Sequence, residues 1–479
     1  MNNKKDIPLY IALLPIAFLL MIISYTVIIA KLPVHFPVFA SAMFAALVAK
    51  VLLKCNWKDL ESGISDTLKM VVIPIMILLV IGMSIGTWIL SGVVPTMIYY
   101  GLKMITPDIF LPVALISSSL ISISTGSSWT TMSTIGIALI GMGEGLGIPR
   151  EIIVGAVLSG AYFGDKMSPL SDTTNLAPLM AGAKLFDHIK HMLYTTVPAY
   201  ILALIGFIIL GNKYSNAIVD DIGVDLMLTT LNQNFTITPW LILIPILTIG
   251  LVMKKVPALP GLFSGALLGG IAAMLIQKKA LIDVMRVLQF GYKSDTGVKA
   301  IDSLLTRGGM ASMLMTISLI ISALAFAGIM EKSGMLDKLA ATISKVANTK
   351  NKIVVASVIT PILTNLCAGG QYMSIVITGR MFRKNYEELN LAPKNLSRAL
   401  EDGGTITSPL VPWTVCGAFV ASTFGVPTYV YAPFCLFNLI CPVISIFYGI
   451  FGITIEENSN LIESVFENEE IEEIISENN

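Results

Sequence analysis

Asp165 and Asp172 stand seven residues apart in the stretch GDKMSPLSDTTN, residues 164–175, with Lys166 beside the first and Pro169 between them. The stretch interrupts a long apolar run, residues 148–183. A charged side chain at mid-bilayer costs about 2.5–3.5 kcal/mol even on a lenient insertion scale. Carboxylates at that depth therefore need a cation or a proton to offset them. Proline has no amide to donate and pushes the residue before it out of helical geometry. Pro169 thus predicts an extended Ser168 and freed carbonyls near Asp165, and Pro409 predicts the same for Ser408. Carbonyl, hydroxyl, amide and carboxylate oxygens together make a hard site, suited to sodium rather than to a soft metal. Half-helix ends add a dipole of either sign. Low dielectric penalises the charged form of a carboxylate, so a proton competes with sodium for it. A carboxylate that holds one or the other is the minimal exchanger. Lys166 reads as an internal counter-ion or as a side chain snorkelling to water.

Each of these residues also has a structural reading. Ser171, Thr407 and Thr131 fit ordinary back-bonding to a helix carbonyl. Asp165 also fits a lock with Lys166 or another base. Gly126, Gly369 and Gly370 fit close helix packing, but their place between hydroxyls and amides favours hairpin tips. His35, His188 and His191 fall at predicted span ends and read as interfacial. Glu144, in a glycine-rich exit, reads as solvated. Glu401 and Asp402 have no acidic counterpart in the first half, where they align near Ala161 and Tyr162. Any contribution from them makes the site asymmetric.

The elements that must hold these residues follow from apolar length, since a span needs about 20 residues. Of the 479 residues 55% are hydrophobic and 13% charged, and mean hydropathy is +0.80. A soluble domain carries about 25% charged residues, so the chain reads as a membrane protein. Its formal charge of zero argues against nucleic acid. Cys55, Cys367, Cys416, Cys435 and Cys441 lack the spacing of a zinc site or a disulfide framework and read as free thiols. The first run is too long for a signal-peptide core and reads as a span. Full spans are predicted at 7–30, 33–53, 70–90, 191–210, 238–253, 258–276, 310–330 and 426–450. Four more stretches are interrupted: 109–142 by STGSSWTT, 148–183 by the opening motif, 353–381 by NLCAGGQYMS and 394–424 by EDGGTITSP.

The interruptions come in pairs. Gly164…Ser168-Pro169-Leu170 and Gly404…Ser408-Pro409-Leu410 are roughly 240 positions apart. STGSSWTT aligns with CAGGQYMS at about 243, placing Gly126 on Gly369 and Trp129 on Tyr372. Gly86…Ser91-Gly92 matches Gly328…Ser333-Gly334 at about 242. Three matches at nearly one offset predict an internal repeat. Each half then has five crossings, an odd number, so the second half is inverted relative to the first. Matched broken segments are the best sequence pointer to a transporter's binding site. The expected fold is an all-α polytopic membrane protein. Residues 1–210 and 237–452 form two inverted repeats, each of about five transmembrane helices plus a re-entrant hairpin, with unwound helices at the site. Residues 211–236 link them. Residues 453–479 form an acidic tail with nine Glu after Ile455. Lysines 54, 58, 254 and 255 and the basic stretches 332–352 and 380–398 place both termini in the cytoplasm by the positive-inside rule. The loop 277–307 disagrees unless it forms interfacial amphipathic helices.

The stretch GAYFGDKMSPLSDTTNLAP, residues 160–178, resembles the signature of the NhaC family of sodium/proton antiporters. Relatives of that family include malate/lactate exchangers coupled to sodium and protons. The resemblance runs from the third span to about Ile450. It implies two inverted repeats with a re-entrant hairpin and an unwound helix in each, a scaffold and a transport domain, a homodimer in the cell membrane and an elevator-like movement. By the same resemblance Asp165, Ser168, Asp172, Thr173 and Asn175 are ion-site candidates, and the matching second break adds Thr405 and Ser408. Substrate contacts are expected at the hairpin tips, from Ser124, Thr125, Ser127, Ser128, Asn365, Gly369, Gly370 and Gln371.

The expected function is secondary active exchange of sodium for protons, with both ions as transported substrates, no cofactor and no enzymatic activity. Malate/lactate exchange, with small carboxylates as further partners, is the alternative. No arginine lies within an apolar span to clamp a dicarboxylate, which favours simple cation exchange. An intramembrane aspartyl protease is a remote alternative, because both aspartates sit on one segment and no second segment carries a match. A passive channel would show no obligatory countertransport.

Overall fold

A computed structural model describes residues 7–30, 32–215, 221–254 and 256–458. The described chain is almost wholly helical, and its β-type pairings are two isolated bridges, Tyr292 with Arg307 and Leu391 with Glu457. This is what lipid demands, since backbone groups at bilayer depth must be satisfied within the chain. Among the described residues, five helices are long and apolar enough to cross a membrane: Val72–Leu90, Pro107–Thr125, Leu185–Tyr214, Ala258–Leu275 and Met310–Lys332. Three bent pairs meet the same test together. They are Asp225–Asn234 with Pro239–Met253 (89°), Pro393–Leu410 with Val415–Phe424 (42°) and Thr428–Phe434 with Leu436–Phe451 (65°). The chain is a multi-pass membrane protein. Leu9–Ser24 and His35–Val51 are shorter apolar helices at the first two expected spans.

The expected linker, 211–236, is largely helical where it is described. Leu185–Ser215 overruns its start and Asp221–Asn234 occupies most of the rest. Gly211 does not end the first helix, because it lets that helix pass close to the Asp108 carbonyl, which an added Cβ would overlap. The loop 277–307 contains the short helices Leu281–Phe290 and Lys299–Leu305. The first is amphipathic: Val284 and Val287 are buried while Leu281, Ile282, Met285 and Phe290 are exposed. Of the acidic tail, residues 459–479 lie outside the described residues. Its first residues are not merely solvated. Glu456 accepts from Lys394 at 2.5 Å, its carbonyl accepts the Ala392 amide at 2.9 Å, and Glu457 pairs with Lys350.

Helix Arg150–Met167 packs along Pro107–Thr125, and Leu185–Ser215 packs on Pro107–Thr125 and on Leu436–Phe451. Small residues make the first of these contacts close. A Cβ added to Gly160 would overlap the Leu115 carbonyl, and one added to Gly164 would overlap that of Ser119. Small residues at such crossings are how membrane helices maximise packing when lipid is as apolar as the helix surface. Gly160→Val is therefore expected to force these helices apart at a cost of about 1–3 kcal/mol. The check is the melting temperature of purified protein, and an unchanged value would remove close packing from the explanation.

Candidate functional site

The first interrupted stretch breaks where proline predicts. Helix Arg150–Met167 ends at Ser168, which is extended (φ −84°, ψ 127°), and helix Asp172–Ala181 starts from the Ser171 cap. The second stretch breaks differently. Pro393–Leu400 runs into a π-helical turn, Glu401–Thr405, followed by a 3-10 turn, Ser408–Leu410. Ser408 is therefore not the extended corner expected of a residue before proline. The Leu410 amide closes a turn on the Thr407 carbonyl at 3.0 Å, and Pro409 sits where no amide is required. The extended residue comes later, at Val411 (φ −104°, ψ 121°).

Each broken stretch is held by a helix–turn–helix tip. Pro107–Thr125 and Ser128–Thr131 meet at Gly126-Ser127, and Lys350–Ala368 and Gln371–Glu388 meet at Gly369-Gly370. Gly126 (φ +68°) and Gly369 (φ +73°) both take the left-handed conformation, which costs glycine nothing and other residues much. At the first tip Ser128 donates to the Asp165 carboxylate from its amide (3.1 Å) and its hydroxyl (2.6 Å). Ser168 donates to the Ile123 carbonyl at 2.7 Å. At the second, Asn365 donates to the Gly404 carbonyl at 2.6 Å, and the Val415 amide donates to Gly369 at 2.9 Å.

The two sets then cross. Trp129 of the first tip stacks on Phe419, beyond the second break, with centroids 4.3 Å apart. Tyr372 of the second tip donates to Asp172 of the first break at 3.5 Å. Lys166, fully buried, is ion-paired with Asp402. A cavity of about 870 Å³ opens between the tips and the first break. Its walls include Thr125, Ser127, Asp165, Ser171, Asp172, Thr173, Gln371 and Tyr372, with no Lys, Arg or His among the described residues that line it.

The sequence-predicted residues divide by what their polar atoms are doing. Asp165, Asp172 and Thr173 line the cavity. Ser168 and Asn175 are clasps: the Asn175 amide donates to the Pro169 and Ser171 carbonyls at 2.8 and 2.7 Å. Ser124 back-bonds to Leu120, Thr125 reaches the Ser127 carbonyl, and Ser127 caps its helix by accepting the Thr130 amide. Thr405 and Ser408 are fully buried with unpartnered hydroxyls. Gln371 is buried at the cavity wall, accepting from the Cys416 thiol at 3.4 Å.

The carbonyls near both breaks mostly find side-chain donors. Thr174 serves Asp165 and Lys166, Thr407 serves Gly403, Asn438 serves Ile406, Thr414 serves Ser408 and Tyr431 serves Pro409. Each such bond takes one lone pair of its carbonyl, and the side-chain oxygens are the less committed ligands for a cation.

The profile of the Na+/H+ antiporter family matches residues 160–453. The chain belongs to the Na+/H+ antiporter family. It is 40% identical over 461 residues to the Na(+)/H(+) antiporter NhaC of Alkalihalophilus pseudofirmus, covering 96% of this chain and 99% of that one. It is 40% identical over 450 residues to the Na(+)/H(+) antiporter NhaC of Bacillus subtilis, covering 94% and 99%. It is also 38% identical over 435 residues to the Malate-2H(+)/Na(+)-lactate antiporter of Bacillus subtilis, covering 91% and 92%.

In this antiporter-family chain, sequence reasoning left two residues without a role. Asp402 is the partner of Lys166, and also accepts from Thr195 at 3.3 Å. Glu401 is fully buried, and neither of its oxygens has a hydrogen-bond partner. The signal that marks them is an acidic pair inside an interrupted apolar segment, with no acidic counterpart in the first half. His188 and His191, in the first turns of the span-length helix Leu185–Ser215, are buried; His188 meets the Ser397 hydroxyl at 2.8 Å and His191 lies 3.3 Å from Glu456.

Proposed function

We propose that this chain exchanges sodium for protons at one mobile-cation site between the two helix breaks. The observation that carries the reading is a charge count. Among the described residues, the buried carboxylates are Asp165, Glu401 and Asp402, and the buried bases are Lys166 and Arg398, with His188 and His191 counted as neutral. One negative charge is left over. An uncompensated charge in a lipid-embedded core is costly, so a monovalent cation or a proton must offset it, one replacing the other. Asp165, held by Ser128, is the carboxylate in reach of the cavity. Thr173, Thr405 and Ser408 supply hydroxyl oxygens. Asp172 stands at the cavity wall, where it draws cations in. Ser168 and Asn175 hold the break open.

The matched tips support the inverted-repeat reading. So do the matched Ser-Gly turns, where Gly92 (φ +82°) and Gly334 (φ +79°) share a conformation. The relatives' names agree with sodium and proton exchange. The cavity is large enough to favour a second reading, in which an organic solute accompanies the ions, and one relative is a malate/lactate exchanger. Its acidic, base-free wall argues against a dicarboxylate: Arg398 is buried within the bent span-length pair Pro393–Leu410 and Val415–Phe424, contrary to the expectation of no arginine in a span, but it does not line the cavity.

Purified protein in liposomes decides between them. An imposed sodium gradient is expected to drive proton movement without organic solute. The sodium concentration for half-maximal rate is expected to rise as pH falls, because protons occupy the same carboxylate. Exchange that requires malate or lactate would establish the second reading, and a half-maximal sodium concentration independent of pH would remove the shared site.

A further inference from the structure

We propose that Glu401 is a cation ligand that closes, from the second break, the site that Asp165 opens from the first. This rests on the sodium/proton reading above and assigns a residue within that site. Glu401 begins the π-helical turn Glu401–Thr405, whose wider register is closed by the Ile406 amide on the Glu401 carbonyl at 3.2 Å. Such turns recur at functional sites because they re-aim side chains. Glu401 is fully buried, and both of its carboxylate oxygens lack a donor. The polar groups around it are Lys166, Thr405, Asp165 and Thr173.

None of these resolves it within the protein. Lys166 is spent on Asp402 and on the Cys441 thiol at 3.3 Å. Thr405 stands one helical turn on, fully buried, and its hydroxyl is unpartnered as well. Thr405 and Thr173 bring their hydroxyls up to the Glu401 carboxylate, but the contacts are poorly formed, since both Glu401 oxygens and the Thr405 hydroxyl remain without a well-aligned partner, and a buried carboxylate so weakly satisfied requires an explanation such as an ion. The neighbouring carbonyls of Gly403, Gly404 and Ile406, each of which accepts a side-chain donor, have no proton to give a carboxylate.

A hard monovalent cation satisfies the set. Glu401 and Asp165 give carboxylate oxygens, and Thr405 and Thr173 give hydroxyl oxygens. Asp165 and Thr173 also line the cavity, so they connect the deeper Glu401 to the route of entry. A calcium-type ion would want six to eight oxygens, more than these four side chains present.

The test is sodium binding measured apart from turnover. The readout is the melting temperature of detergent-purified full-length protein, titrated with sodium chloride against choline chloride in alkaline buffer. Wild type is expected to be stabilised by sodium. Glu401→Gln is expected to remain monodisperse and to need at least tenfold more sodium for the same shift. A half-saturating concentration within twofold of wild type would overturn the assignment. Loss of exchange with sodium binding unchanged would overturn it too, since Glu401 would then handle only protons. Glu401→Asp covers the case in which the glutamine variant does not fold. Shortening the ligand by one methylene is expected to weaken sodium binding several-fold, and a wild-type titration there would also overturn the proposal. If wild type itself showed neither sodium-driven proton movement nor sodium stabilisation, the sodium/proton reading would fall first, and Glu401 with it.

Discussion

Asp165→Asn is expected to abolish sodium-driven proton movement while leaving the protein folded. Asparagine keeps the shape of the side chain and one carbonyl oxygen. That oxygen can still accept from the Ser128 amide and hydroxyl, now at 3.1 and 2.6 Å. The first hairpin tip therefore stays docked on helix Arg150–Met167. What disappears is the charge. Two buried carboxylates, Glu401 and Asp402, would then face two buried bases, Lys166 and Arg398, and no mobile cation would be needed for balance. Taking one charged partner from a buried set costs about 3–5 kcal/mol, which at 1.4 kcal/mol per tenfold is a loss of sodium affinity on the order of a hundredfold or more. The measurement is proton movement into proteoliposomes on addition of sodium, alongside a size-exclusion profile. Wild-type exchange rates in the variant would sink the site. Asp172 is exposed at the cavity wall, so Asp172→Asn is the milder change. It should raise the sodium requirement more than it lowers the maximal rate.

The second large effect is on folding. Lys166→Met leaves Asp402 fully buried without its counter-charge. Thr195, at 3.3 Å, and Cys441, whose thiol lies 3.4 Å away, are the donors that remain to it. Removing one partner of a buried ion pair costs about 3–5 kcal/mol, because the other charge stays desolvated, whereas replacing both is often neutral. The single variant is expected to accumulate poorly or to melt well below wild type. The pair Lys166→Met with Asp402→Asn is expected to restore the melting temperature. A single variant with wild-type stability would show that Lys166 does not lock the two breaks together. If the double variant folds and still exchanges sodium for protons, Lys166 and Asp402 serve structure alone. If it folds and is silent, the pair also helps to set the charge balance at the cation site.

Local chemistry was legible. Pro169 ends a helix at Ser168, and Gly126 and Gly369 mark tips, because a missing amide and a missing Cβ act on the backbone within a few residues. The same reasoning misjudged Ser408, where a hydrogen bond from Leu410 to Thr407 overrode the preference of the residue before proline. It also read the freed carbonyls as ion ligands. Thr174, Asn175, Asn365, Thr407, Thr414, Tyr431 and Asn438 each donate to at least one of the carbonyls near the breaks, taking one lone pair of each, and several of these donors come from other helices.

Apolar length, the breaks and their pairing along the chain were thus enough to point to a many-helix membrane protein with four interrupted segments in two pairs, and the signature stretch was enough to point to the antiporter family. Which charges meet was settled by packing alone. Lys166 finds Asp402 across 236 residues, and Glu401 is left facing Asp165 and two threonines, because the turn Glu401–Thr405 packs against Asp172–Ala181 and Leu436–Phe451, which follow and flank the helix of Lys166. Backbone geometry is written in each residue and its neighbours. The balance of charge in a buried site depends on side chains from segments that have no covalent reason to be near one another.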